Sequence, residues 1–332
     1  MKPNKIGKVL VNTLLALALP VAVFLIFTLL SGGRMASQRT ILAILRQSIQ
    51  PSIICLGLML GMRLGMMNFA CGAIVLCSSI CGMGISNMLG WGFPGFLLFA
   101  MVVSLGCSAL YGFLYNKLRV PCMVLGLGMM LVYEALPRVF FPGGASIRAA
   151  DGFLARQPWC FLVLLGCIVL FYILFNKTAY GHNVRAVGAN QSIAMASGLN
   201  LDRIKFQNFL VGGIFLGVAA VLHLSSSGSL DNVSALGSMT VMMDAFMGVF
   251  LGMLLGRWVD LSVAIYLGVV TMKVISNGFV AIGMSATWQD VVTGTFLLGV
   301  MAVSANAALP ERMRADKAFA AQADAEFAQQ AG

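Results

Sequence analysis

Three ionisable side chains, Glu134, Asp244 and Lys273, stand inside otherwise apolar runs. A charge held within a bilayer costs at least about 2.5–3.5 kcal/mol on insertion scales, so each is a candidate for functional work. Glu134 precedes Arg138 by four residues. The two therefore share a helix face and can form a structural pair; the alternative is that Glu134 lines a pathway. Asp244, which follows Ser238 and Thr240, can line an aqueous cavity or meet Lys273, while Lys273 can equally reach the interface near Asn277. Asn68 sits in Met66-Met-Asn68-Phe-Ala-Cys-Gly72, where the hydrophobic run breaks. It is either the cap of a helix or part of a discontinuous helix whose free backbone groups hold a solute. Asn68, Glu134 and Asp244 are thus the candidate pathway residues.

Other chemistry finds few residues to carry it. The two histidines, His182 and His223, lack metal-ligand spacing such as His-Glu-x-x-His, and the run His223 with Ser225–Ser227 does not supply an intramembrane serine protease. Eight cysteines include no Cys-x-x-Cys pair and no nearby histidine, so zinc spacing is absent and helix packing is the expected role. No Gly-x-x-x-x-Gly-Lys-Ser/Thr occurs, so this chain supplies no nucleotide site. The expectation is no catalytic residue, no metal and no cofactor.

These residues must be held by membrane helices. The chain has 332 residues, 60% hydrophobic and 10% charged, against roughly 25% charged in soluble domains. Apolar runs long enough to cross a core of about 30 Å recur throughout, and the alternation of a β-barrel is missing. The fold class is therefore all-α, a polytopic helical bundle of about ten transmembrane helices. The spans fall near 9–30, 41–62, 66–85, 93–115, 121–141, 159–175, 206–225, 238–256, 259–280 and 288–309. The first follows Lys2, Lys5 and Lys8 like a secretory signal, but its apolar core exceeds the usual length of about 7–15 residues and it reads as a retained span. Residues 1–310 form one transmembrane domain, and 311–332 a charged, Ala/Gln-rich cytoplasmic tail. With both termini inside, fourteen Lys and Arg fall on the cytoplasmic side and five outside, the bias that orients helices. The net charge of +10 is thus spent on topology and lipid contact, and nucleic acid is not an expected partner.

The longest polar segment runs from Asn176 to Phe206, and Asn190–Ala196 within it reads as one or two turns of amphipathic helix between Gly188 and Gly198. Two further glycine series, Gly57/Gly61/Gly65 and Gly248/Gly252/Gly256, are spaced by four and predict close helix contacts.

The chain resembles the permeases of ABC importers for monosaccharides, more distantly those for branched-chain amino acids. The best match is Gly181, Arg185, Ala186, Gly188, Asn190 and Ser197-Gly198-Leu199, followed by Asp202, Arg203 and Lys205. Collinear echoes are Arg119-Val-Pro121 with Leu127-Gly-Met129-Met130, Asp244-Ala-Phe with Leu251-Gly252, Ser276-Asn277-Gly278 and Gln289-Asp-Val291, spanning about 50–309. Three places depart from the pattern: Ser192-Ile193, Asn68-Phe-Ala where sugar permeases carry Asp-Leu-Ser, and a shortened Gly252-Met-Leu-Leu-Gly256-Arg257. The resemblance implies a type II importer fold in a bacterial cytoplasmic membrane. Its implied partners are ABC ATPase subunits, an extracytoplasmic solute-binding protein and a second permease copy or paralogue. It also implies that 181–205 couples to the ATPase, through Gly181, Arg185, Gly188, Asn190, Ala194 and Gly198. The solute expected is a sugar or sugar-like molecule. Branched-chain amino acids and nucleosides are alternatives, as are an ion-coupled secondary transporter and a membrane scaffold.

Overall fold

The computed structural model describes residues 5–147, 152–285, 288–289, 291–296, 298–299 and 302. Long apolar segments become helices because in lipid every backbone polar group must be satisfied within its own segment. In order these are α1 (Lys5–Leu30), α2 (Gln38–Arg63), α3 (Cys71–Leu89), α4 (Gly92–Leu118), α5 (Cys122–Phe140) and α6 (Trp159–Lys177). Two short helices follow, α7 (Ala179–Ala189) and α8 (Gln191–Ala196), and then α9 (Leu201–Ser227), α10 (Met239–Leu255) and α11 (Leu261–Ile282). Eight of them, all but α7, α8 and α10, are long and apolar enough to cross a bilayer. With 17 residues, α10 is at the lower end of the spanning range of about 17–25. Half of the expected tenth span lies outside the described residues, and those described within it, 288–289, 291–296, 298–299 and 302, are helical; the expected tail, 311–332, lies wholly outside them.

α9 is the central post, packed against α2, α3 and α4. Small residues let it come close: a Cβ on Gly57 of α2 would lie 3.1 Å from the Gly212 carbonyl oxygen of α9. Hydroxyls then bridge the helices. Ser79 Oγ donates to the Ala220 carbonyl and Ser104 Oγ to that of Gly213, both at 2.8 Å. Such interhelical bonds contribute about 0.6 kcal/mol each in lipid. The second glycine series works similarly, since a Cβ on Gly268 of α11 would come within 2.6 Å of the Gly252 nitrogen. All eight cysteines are buried and unpaired, in keeping with a packing role. α1 leans on α11 through Phe27 and Phe279, whose rings meet edge-on at 5.2 Å.

Two sequence expectations change. The third span begins at Cys71, not near 66, because Gly65 takes a left-handed φ of 74° and ends the α2 turn. Gly65 therefore belongs to that turn and not to the packing series. Two backbone groups of residues 66–70 are tied to neighbouring helices: Met66 N donates to the Gly61 carbonyl at 2.8 Å, and Cys122 Sγ donates to that of Met67 at 3.2 Å. The Asn68 side-chain oxygen accepts from Ala70 N at 3.0 Å. Since Ala70 is the cap position of α3, Asn68 shapes the approach to the helix and does not cap it.

The second change concerns Glu134, which is 4% exposed. Its carboxylate turns away from Arg138 and accepts from Leu236 N at 3.1 Å, Ser238 N at 2.8 Å and Ser238 Oγ at 2.6 Å. These donors lie at the N-terminal end of α10, where free N–H groups and the helix dipole favour an anion. A carboxylate from one helix satisfying the start of another outweighs a surface-type pair along its own helix.

Beyond α5 and α9, the strands β1 (Ala145–Ser146) and β2 (Ser229–Leu230) pair antiparallel and tie the two connections together at that end of the bundle.

Candidate functional site

The ends of the bundle differ, and each carries a candidate site. At the end where α2 finishes and α9 begins, α7 and α8 form a platform. α7 is capped by Thr178, whose hydroxyl accepts from Gly181 N at 3.2 Å. Gly181 is buried where α7 turns back under α6, and Arg185 lays its guanidinium over the Phe175 ring, 5.3 Å from the centroid. A side chain at Gly188 would collide with the Arg63 carbonyl oxygen, so glycine lets α7 rest on the end of α2. Burial pushes the Tyr180 phenol above its ordinary range. The neutral hydroxyl donates to Asn208 Oδ1 at 3.4 Å, tying α7 to α9.

α8 has six residues and needs help at both ends, since so short a helix is marginal alone. The Asn190 side chain accepts from Ser192 N at 2.9 Å and Ile193 N at 3.2 Å, an N-cap of the usual kind. Gly198 closes the other end with φ 83°, while Leu199 N reaches the Ala194 carbonyl at 3.1 Å, which suits a left-handed terminator. Ala194 is buried and seats the helix. Ile193 and Met195 point away, 65% and 54% exposed. Each residue of the sequence motif therefore has a local job, and together they hold two apolar side chains outward.

At the opposite end, near the β1–β2 pair, lies a cavity of about 720 Å³. This is within the range of small-molecule sites, about 300–1,000 Å³. α2 contributes Arg46, Gln47 and Gln50; α9 contributes His223, Ser225 and Ser226; Arg156 precedes α6. Asp244 of α10 and Lys273 of α11 complete the wall, joined by an ion pair of 2.6 Å. Asn277 extends this link, donating to Gln47 Oε1 at 2.8 Å and to the Lys273 carbonyl at 2.8 Å. The same Asp244 and Lys273 also line a second cavity of about 560 Å³ beside Met239, Met243 and Met247. The pair is thus a partition between two spaces.

Of the sequence candidates, Asp244 reaches the large cavity and does pair with Lys273. Glu134 lines neither cavity. Asn68 faces a narrow crevice with Asn208 between α2 and α9. Arg46, Gln47, Gln50 and His223 were not among the candidates. The signal was present in α2, where four polar side chains within five positions, Arg46, Gln47, Ser48 and Gln50, interrupt an apolar run, with Arg46 and Gln50 on one helix face. Among the described residues, no cluster of three or more His, Cys, Asp or Glu side chains could hold a metal ion.

A multi-pass bundle with a polar cavity at one end and a loop-borne helix at the other has the build of a membrane permease. The chain belongs to the family described as the permease component of branched-chain amino acid transport systems, which matches residues 40–301. It is similar to the autoinducer 2 import system permease protein LsrC of Yersinia enterocolitica, with 30% identity over 237 residues, 68% of this chain and 64% of that protein. The LsrC proteins of Yersinia pseudotuberculosis and Enterobacter sp. (strain 638) are each 28% identical, over 75% of this chain and 72% and 74% of theirs. No solved structure matches the chain.

Proposed function

We propose that this chain is the permease subunit of an ATP-driven importer that moves a sugar or sugar-like solute across a bacterial cytoplasmic membrane. Residues 1–310 act as one transmembrane domain with both termini cytoplasmic, which puts α7 and α8 inside and the large cavity outside. A separate ABC ATPase seats against α8, an extracytoplasmic binding protein delivers solute to the cavity, and a second permease copy or paralogue completes the pathway. The observation that carries this reading is α8 itself, a six-residue helix capped at both ends with Ile193 and Met195 outward, at the end away from the cavity. Gly181, Arg185, Gly188, Asn190, Ala194 and Gly198 serve coupling by fixing that helix. Closure of the ATPases on ATP would bias the bundle between two arrangements, and the shift is bounded by the difference in ATP affinity between them.

Within the pathway set, Asp244 is the residue we assign to solute passage, with Asn68 and Glu134 supporting the helices beside it. The relatives' naming for autoinducer 2 and the family's description for branched-chain amino acids both fit a small polar solute. Deleting 188–198 tests the reading. ATPase co-purification should vanish while the permease still inserts, and retained coupling would sink it. Because Asp244 is half exposed between two cavities, an ion-coupled transporter is the second reading; uptake into vesicles lacking any ATPase would favour it.

A further inference from the structure

The charge of the large cavity says something about the solute. Its described lining carries three cations, Arg46, Arg156 and Lys273, against one carboxylate, Asp244. Lys273 and Asp244 satisfy each other at 2.6 Å. Arg46 has no hydrogen-bond or ion-pair partner among the described residues, although it lies eight positions into α2, about 12 Å along the axis from its start. Its side chain is exposed to the cavity, where its planar fork can take a carboxylate or phosphate in two parallel bonds.

A second observation lies across the cavity on α9. His223 Nδ1 and Ser225 Oγ are buried polar atoms with no partner among the described residues, and Ser225 is only 8% exposed. A buried polar group left unpaired costs free energy that a partner would recover. Gln50, one turn beyond Arg46 on the same face, adds an amide able to bond hydroxyls.

Resting on the permease reading above, we propose that this cavity takes an acidic polyol: a small polyhydroxylated solute with one anionic group, carboxylate or phosphate, held by Arg46. Gln50 and the α9 polar groups meet its hydroxyls. A neutral sugar would leave the guanidinium without its complement, so the cavity discriminates by charge after delivery.

Binding of D-gluconate, D-glucose 6-phosphate and D-glucose to the full chain in nanodiscs tests this by calorimetry. At least one anion should bind about tenfold more tightly than glucose, and about 0.5 M sodium chloride should weaken it. Arg46→Gln should abolish the preference and Arg46→Lys retain part of it, because the ammonium keeps the charge but loses the fork. Whichever anion binds identifies the charged group. Glucose binding as well as the anions, a preference unchanged in Arg46→Gln, or no binding at all overturns the proposal. ATPase co-purification is measured on the same preparations. If Arg46→Gln and the wild type both retain the ATPase while the charge preference fails, the permease reading stands and only the acidic-solute inference falls. Loss of co-purification from the wild type instead removes the permease reading.

Discussion

The α8 platform and the large cavity are built on opposite plans. The platform is assembled from consecutive chain: Thr178 to Gly198 contains its turn, its caps, its buried foot at Ala194 and its two exposed apolar side chains. The cavity is assembled from chain that is far apart, with polar groups on α2, α9, α10 and α11 and in the segment before α6. Local assembly makes a part whose shape survives when the rest of the bundle shifts. Dispersed assembly makes a part whose shape is the arrangement of the bundle, so any movement between helices changes it. A permease needs one of each, a firm handle and a deformable chamber.

Substitutions can separate the two plans. Glu134→Ala should have the largest effect, since it leaves donors at the α10 start unpaired at about 1–3 kcal/mol each. Thermal unfolding in detergent should show the loss, with Glu134→Gln recovering part of it. Solute binding should fall, because α10 carries Asp244. Next, the double change Ile193→Asp and Met195→Asp should cut ATPase co-purification by about tenfold or more, given about 1.5–3 kcal/mol per buried apolar side chain. Its melting temperature should stay at the wild-type value, and a lowered one would mean that α8 is packed and not presented.

Gly57→Leu should cost about 1–3 kcal/mol by forcing α2 from α9, moving stability and cavity binding together. The smallest effect is expected from Asn190→Ala, about 1 kcal/mol for a lost cap. Hydrogen exchange should report it in 191–196 alone; protection lost throughout the bundle would show that the platform is not a local unit.

The same contrast explains what could be read from the chain directly. The spans, the polar segment between α6 and α9 and the glycine contacts were legible because each is encoded in neighbouring residues or in helical spacing. Asn190, Gly188 and Gly198 could be singled out for the same reason. The partner of Glu134 was not legible. Spacing offers Arg138 four residues on, whereas Ser238 is 104 residues away and is found only by folding. The early break at Gly65 was visible as an interruption at 65–68, but the length of the non-helical stretch depends on Met67 and Ala70 finding partners in place. Arg46, Gln47 and Gln50 were visible as residues and not as a site, because the opposite wall comes from α9 and α11.

Glu134 has a consequence for how the protein is made. Helices enter the membrane in chain order, and α5 emerges carrying a carboxylate whose donors lie at the start of α10. Until α10 arrives, that carboxylate is an exposed liability in the lipid phase, the kind of group that quality-control proteases and insertases detect. A nascent chain stopped before Ser238 should therefore be short-lived, and Glu134→Gln should lengthen its lifetime in a pulse–chase experiment. The cap that shapes one wall of the chamber would then also mark the moment when synthesis has gone far enough for the bundle to close.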